Sequence, residues 1–268
     1  ADAAEPAKEE ADELPHRVKA KTTRHNRIVF EVTFEKPKLG LDFEISVDLA
    51  FAEHPADIAN LSDAIDQLKH QGIHAGGAVI GIVPQWGRTR IIGEAVTVRV
   101  TAHAALASGA HLGVDAIAAA KPGDVIVVDN RGDLHNNCWG EILSMAARMR
   151  ELSGVVVDGA VRDVDACEQF EFPVHARGTV PITARGRIMQ EAWNVPVRLG
   201  DMAVRPGDIV MADVNGVVVI RVEALEQTLE RAEAIAAKEQ AMIDALRAGE
   251  DVLSVDKRFN YENMLKTK

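Results

Sequence analysis

The sequence predicts an α/β protein in compact layers, and three observations predict it. Gly154-Val155-Val156-Val157-Asp158-Gly159-Ala160-Val161 is small or apolar almost throughout and stops on the charged pair Arg162-Asp163, the pattern of a strand buried on both faces. Helical periodicities alternate with such runs: Ile58, Leu61, Ile65 and Leu68 share one face before it, and Leu225, Leu229 and Ile235 share one after it. Finally, Lys121-Pro122-Gly123-Asp124 recurs as Arg205-Pro206-Gly207-Asp208, each launching an apolar run that closes on an Asp, Asp129 or Asp213. With two copies in different contexts this is recurrent turn and strand grammar, not a solenoid repeat.

In chain order, residues 1–26 begin rich in Ala and Glu and then turn basic at Arg17, Lys19, Lys21 and Arg24, which reads as a flexible charged arm. Residues 27–55 read as a β-hairpin extension. Ile28, Phe30, Val32 and Phe34 alternate with polar residues, Lys36 to Gly40 supplies the turn, and Leu41, Phe43, Ile45 and Val47 alternate again. Residues 56–268 form the main domain, beginning with a helix from Asp57 to about Gln71 that stops at Gly72. Gly76-Gly77 and Gly81 make a glycine-rich loop without the Lys-Ser/Thr of a nucleotide-binding turn.

Ile91 to Val100 reads as a strand and Leu112 to Ala120 as a short helix. A helix over 141–152, with Ile142, Met145, Met149 and Leu152 inward, feeds the central strand. A helix over 164–170, a strand at Phe172 to Ala176, a loop from Arg177 to Arg187 and further strands over 195–210 follow. A long C-terminal amphipathic helix, Glu223 to Arg247, would turn Leu225, Leu229, Ile235, Met242 and Leu246 inward.

The bulk composition narrows the function. The chain has 268 residues, 47% of them hydrophobic, 26% charged and only 4% aromatic, so Val, Ile, Leu and Ala must make the core. A formal charge of −11 argues against nucleic acid as a partner, because that affinity rests on many Lys and Arg contacts to phosphate. Cys138 and Cys167 are too few for a disulfide framework and lack metal-site spacing, which points to a reducing compartment. No apolar stretch approaches the roughly 18 residues that span a bilayer. The expectation is a cytoplasmic protein with no membrane partner.

Two segments carry chemistry. Gly140 opens a helix whose first N–H groups lack helical partners, so a carboxylate can come close to them. Glu141 beside it suits a cation between itself and an anion. Arg162 can fork onto the same carboxylate, while Asp163 and Glu141 can give oxygen ligands to a hard ion such as Mg²⁺ or Mn²⁺. The Arg162-Asp163 pair also reads as a simple structural ion pair, and spacing alone does not choose. Arg177, Arg185 and Arg187 form either a solvated loop or a clamp for a second carboxylate. His103, His111 and His135 lack metal-site spacing and read as surface or packing residues, and Cys138 beside Trp139 as packing.

Trp139-Gly140-Glu141-Ile142-Leu143 through Gly154 to Asp163 resembles the signature of the family that contains 4-hydroxy-4-methyl-2-oxoglutarate aldolases and the regulator of ribonuclease activity A. The likeness extends over about 57–222, including Phe172-Pro173-Val174-His175-Ala176-Arg177-Gly178 and Asp213-Val214-Asn215-Gly216. It implies an α/β sandwich like phosphohistidine domains, assembled as a homotrimer or hexamer, and a class II pyruvate aldolase. Asp163 would then ligate Mg²⁺ or Mn²⁺, with Glu141 holding metal-bound water. Arg162 and the amides of Ile142 and Leu143 would bind the pyruvoyl carboxylate. The implied reactions are cleavage of a 4-hydroxy-2-oxo acid to pyruvate and decarboxylation of oxaloacetate. A neighbouring subunit's glutamate, for which Glu239 is the candidate, would complete the metal site. The alternative is a non-catalytic ring that binds and inhibits a ribonuclease or another protein. Family aldolases often carry an acid three residues after the Asp, where this chain has Ala166, and the loop Thr179 to Arg187 departs from theirs, so the substrate stays open.

Overall fold

The computed structural model describes residues 16–22, 28–34, 57–103 and 111–260, the first two spans by their backbone. The chain runs β1 (His16–Thr22), β2 (Ile28–Phe34), α1 (Ile58–His70), β3 (Gly76–Val79), β4 (Val83–Pro84), β5 (Ile91–Ala102), α2 (Val114–Ala119), β6 (Val125–Asn137), α3 (Glu141–Met149) and β7 (Gly154–Val161). It continues through α4 (Val164–Gln169), β8 (Val174–Thr179), β9 (Ile188–Trp193), β10 (Val197–Leu199), β11 (Met202–Val204), β12 (Ile209–Asp213), β13 (Gly216–Ile220), α5 (Leu225–Arg247) and α6 (Val252–Phe259).

The main sheet has the order β3-β13-β12-β5-β6-β7-β8-β4, with β9 also paired to β5. Long β5 is the hinge of this sheet. Its first half, from Ile91 to Glu94, pairs antiparallel with β12, and its next residues, Ala95 to Arg99, pair parallel with β6. Strands β5, β6, β7 and β8 are mutually parallel, and β12, β13 and β3 are antiparallel. The parallel half contributes Val125, Val127 and Val156 to one apolar cluster, to which the antiparallel half contributes Val210, Ala212, Val217 and Val219. The sheet therefore folds over on itself. Its two outer faces are covered by α1 with α5, and by α2, α3 and α4. Burial of both faces explains why every residue of β7 is buried and why its sequence does not alternate.

Several expectations change. Ile28–Phe34 is a strand, but its antiparallel partner is His16–Thr22. Part of the expected charged arm is thus a strand, because Val18 and Ala20 alternate with Arg17, Lys19 and Lys21. The run from Leu41 to Val47 lies outside the described residues. Gly76 and Gly77 are not loop but strand, where a Cβ on Gly76 would meet the Val219 carbonyl at 1.9 Å. Helix α3 is rotated from the expected face. Leu143, Ser144 and Ala147 are buried, whereas Ile142 is 67% and Met149 78% exposed. On α5 the first half buries Leu225, Leu229 and Ile235 as expected, but Leu246 is exposed.

The repeated turns are built alike. Gly123 and Gly207 take φ of 90° and 81°, and the Asp124 and Asp208 carboxylates accept from the N–H groups of Lys121 and Arg205, each at 2.7 Å.

Candidate active site

The register of β6 against β7 sets up the site. The strands pair evenly from Val125 with Gly154 to Asp129 with Asp158, then slip between Asp129 and Asp133 and again before Asn137. Arg131 (φ 55°) and Gly132 (φ 71°) make the bulge. The chain consequently crosses the carboxyl end of β7. There the Cys138 N–H donates to the Ala160 carbonyl and the Arg162 N–H to the Trp139 carbonyl, both at 3.0 Å. Gly140 is thereby held beside the pair that ends β7. Asp163 has φ 56° and ψ 37°, a left-handed conformation that Asp tolerates better than most residues, and it starts α4.

The start of α3 is open. Asp57 caps α1 with its side chain in a full capping box, whereas Gly140 at the same place on α3 has no side chain to give. The Glu141 N–H donates to Asp163 Oδ2 at 3.3 Å, leaving the next amides of the first turn with no side-chain cap. Arg162 Nε lies 3.2 Å from the same oxygen, but it is buried and off-line, so the contact is an ion pair without an aligned hydrogen bond. A Cβ on Gly140 would stand 2.7 Å from Asp163 Oδ2 and 3.3 Å from Arg162 Cγ. Only glycine leaves the carboxylate, the guanidinium and the helix start this close.

These groups line a cavity of about 570 Å³ with Trp139, Leu143, Thr183 and Met189. Of the residues singled out in the sequence, the cavity gathers Gly140, Glu141, Ile142, Leu143, Arg162, Asp163 and Arg185. Arg187 is held back, its guanidinium donating to the Thr183 carbonyl at 3.3 Å. The loop carrying both arginines is pinned by buried Asn137, whose N–H donates to the Ile182 carbonyl and whose Oδ1 accepts from the Ala184 N–H at 2.9 Å. His103 and His111 also line the cavity, and His135 does not. No spacing signals the two histidines, which follow β5 and precede α2 and come to the wall of the same cavity as Arg162 only in the fold. Glu239 lies on α5, where it accepts from Asn60 Nδ2 of α1 at 2.7 Å, and is not among the cavity residues of its own chain.

Among the described residues, no group of three or more His, Cys, Asp or Glu gathers in metal-binding geometry. The acids at the cavity are Glu141 and Asp163, both exposed. An ion that takes one or two carboxylates and keeps several waters suits that donor set; a zinc-like cage does not. Burial pushes up the thiols of Cys138 and Cys167, so both stay protonated and neither is a ready nucleophile or soft metal ligand. No helix among the described residues is long and apolar enough to cross a membrane.

The model of the family described as RraA-like, Aldolase/RraA, matches residues 58–219, which span the cavity and the sheet around it. The chain belongs to the RraA-like family. A Halalkalibacterium halodurans protein, provisionally named 4-hydroxy-4-methyl-2-oxoglutarate aldolase, is 35% identical over 182 residues, 68% of this chain and 80% of that one. Protein DlpA of Legionella pneumophila is 29% identical over 204 residues, 76% of this chain but only 32% of DlpA. The chain thus spans about a third of DlpA's length.

Among solved structures, an uncharacterized protein from Pseudomonas syringae has a TM-score of 0.64 at 30% identity, covering 74% of this chain and 92% of that one. RraAS2 of Streptomyces coelicolor, described as an unusual member of the RNase ES inhibitor RraA protein family, has a TM-score of 0.60 at 25% identity, covering 68% and 93%. The RraA-like family thus includes relatives named for aldol cleavage and relatives named for ribonuclease inhibition.

Proposed function

We propose that this chain is a divalent-metal-dependent lyase that cleaves a 4-hydroxy-2-oxo acid to pyruvate and a second carbonyl compound, and that it also decarboxylates oxaloacetate. The observation that carries the reading is the start of α3, whose amides beyond Glu141 have no side-chain cap, facing the Arg162-Asp163 pair across Gly140 at the wall of one cavity. The proposal includes a cytoplasmic homo-oligomer, trimer or hexamer, in which Glu239 would reach a site only from a neighbouring copy.

The residues divide the work. The amides of Ile142 and Leu143 take the carboxylate of the 2-oxo acid, where the helix start favours negative charge. Arg162 adds a guanidinium on the same anion and orients the oxo acid. Asp163, with Glu141 through water, would hold Mg²⁺ or Mn²⁺, which would supply the Lewis acidity that draws electrons from the breaking carbon–carbon bond. Leu143, Trp139 and Met189 line the cavity with apolar surface, which strengthens the electrostatic contacts within it. Arg185 is placed for a second carboxylate at the far end of the substrate.

Pyruvate release from a panel of 4-hydroxy-2-oxo acids and from oxaloacetate tests the reading. Activity is expected to vanish with chelator and return with Mg²⁺ or Mn²⁺. Release that is indifferent to chelator, or absent on the whole panel, would sink it.

One observation favours a second reading, a non-catalytic ring that restrains a ribonuclease or another protein. Ile142, Met145 and Met149 form an exposed apolar stripe on α3 beside the cavity. A stoichiometric ribonuclease complex, weakened by Met149→Lys, together with no turnover would select it.

A further inference from the structure

Buried behind the cavity, a closed circuit of hydrogen bonds joins the two helix starts that carry the site. Trp139 Nε1 donates to Ser144 Oγ at 2.9 Å, and Ser144 Oγ lies 3.2 Å from Cys167 Sγ, either of which can donate to the other. Ser144 and Trp139 are fully buried and Cys167 nearly so. The circuit closes through the backbone. The Ser144 N–H donates to the Gly140 carbonyl, the Arg162 N–H to the Trp139 carbonyl and the Cys167 N–H to the Asp163 carbonyl. Trp139 is further fixed by its ring, stacked on Phe172 at 6.4 Å between centroids and 17° between planes.

We infer that Ser144 is a positioning residue that locks the start of α3, which offers the carboxylate cradle, to the start of α4, which offers Asp163. The inference deepens the lyase reading and rests on it for its consequence. None of the three side chains has a polar role elsewhere, and a serine facing a buried core would otherwise cost the desolvation of its hydroxyl. Its oxygen lies within hydrogen-bond distance of both the Cys167 thiol on α4 and the indole N–H of Trp139, the residue before Gly140. The protonated thiol suits a hydrogen-bonding role and not a reactive one. Without the Ser144 hydroxyl, the indole N–H and the thiol lose their partner together, and α3 and α4 are free to shift relative to each other. The distance from Asp163 Oδ2 to the α3 amides then becomes soft.

The test uses the full chain with Ser144→Ala and the conservative Cys167→Ser, which keeps a partner for Ser144. Two measurements are made: amide hydrogen exchange of the metal-free protein at Arg162 and Cys167, and Mn²⁺ affinity by titration. Ser144→Ala should speed exchange at both amides and weaken Mn²⁺ binding, each by about tenfold, while Cys167→Ser stays near wild type. A folded Ser144→Ala protein with wild-type exchange at Arg162 and Cys167 would overturn the inference. If the wild type itself fails to bind Mn²⁺, the metal reading falls, and exchange still decides whether Ser144 ties the helices. Should Ser144→Ala not fold, Cys167→Ala removes one arm of the circuit and is read by the same two measurements.

Discussion

Gly140→Ala separates a site from a structural turn. The added methyl would stand 2.7 Å from Asp163 Oδ2, and ordinary contact begins near 3.4 Å, so the carboxylate must retreat by about 0.7 Å. The backbone of Asp163 is held, its carbonyl accepting from the Ala166 and Cys167 N–H groups, so the carboxylate retreats by turning about its side-chain bonds, away from the Glu141 N–H and Arg162 that it now meets. A displacement approaching 1 Å in a reacting constellation costs about a hundredfold in rate, or about 2.7 kcal/mol of activation free energy.

The fold has no comparable reason to suffer. Gly140 has φ −165°, extended backbone that any residue adopts, and a Gly to Ala change lowers the unfolded chain's entropy by about 0.4–1 kcal/mol in favour of folding. The assay is kcat/KM for metal-dependent pyruvate release, run beside a thermal melt. The expected outcome is a loss of about two orders of magnitude in kcat/KM with an unchanged or slightly raised Tm. Full activity in Gly140→Ala would refute the claim that Asp163 Oδ2 works at this position. A collapse in Tm would show that the close approach serves folding instead.

Further predictions follow from the same geometry. Arg162→Lys keeps the charge but loses the planar fork, and should raise KM for the 2-oxo acid by about tenfold or more with a smaller change in kcat; an unchanged KM would remove Arg162 from the carboxylate. Arg185→Ala should raise KM about tenfold for an oxo acid with a second, distal carboxylate and leave KM unchanged for one without it; equal effects on both would show a structural role. His175 is fully buried on β8, with no protein hydrogen-bond partner at either ring nitrogen, and burial lowers its pKa to about 4 against a weaker opposing influence from the backbone at Asp213 and Thr89. Its unfolded form takes up a proton near pH 6.5 and its folded form only near 4, so the unfolded state binds more protons between those values. Stability is therefore full above about pH 6.5 and falls, by on the order of 3 kcal/mol, as pH drops toward 4. Denaturant melts of wild type and His175→Leu across that window should differ in slope; parallel pH dependences would contradict the assignment.

Much of this was legible in sequence because it rests on local rules. The apolar run of β7, the Pro-Gly-Asp turns and the apolar face of α1 each announce themselves within a few residues, and the family resemblance, not spacing alone, joined Gly140 to Arg162-Asp163 as two halves of one site. What stayed hidden depends on long-range meetings. The face of α3 was misread because Ile142, Met145 and Met149 are spaced as well as any core stripe. The core chose instead the face of Leu143, Ser144 and Ala147, where small residues let α3 approach Trp139 and Cys167. His103 and His111 look like surface residues until β5 and α2 bring them to the cavity wall. The bulge of β6 that lifts Gly140 over the end of β7 has no sequence signature beyond Arg131-Gly132, and the hairpin partner of β2 was masked by the basic residues that alternate through β1.

The most direct test of the account is metal-dependent pyruvate release by the wild type and by Asp163→Asn. Asn tolerates the left-handed backbone that Asp163 occupies, so this variant removes the charge and leaves the turn. The wild type is expected to lose activity to chelator and regain it with Mn²⁺, and the folded Asp163→Asn variant to show no metal-restored turnover. Full metal-dependent turnover in Asp163→Asn would contradict the claim that the end of β7 holds the catalytic ion.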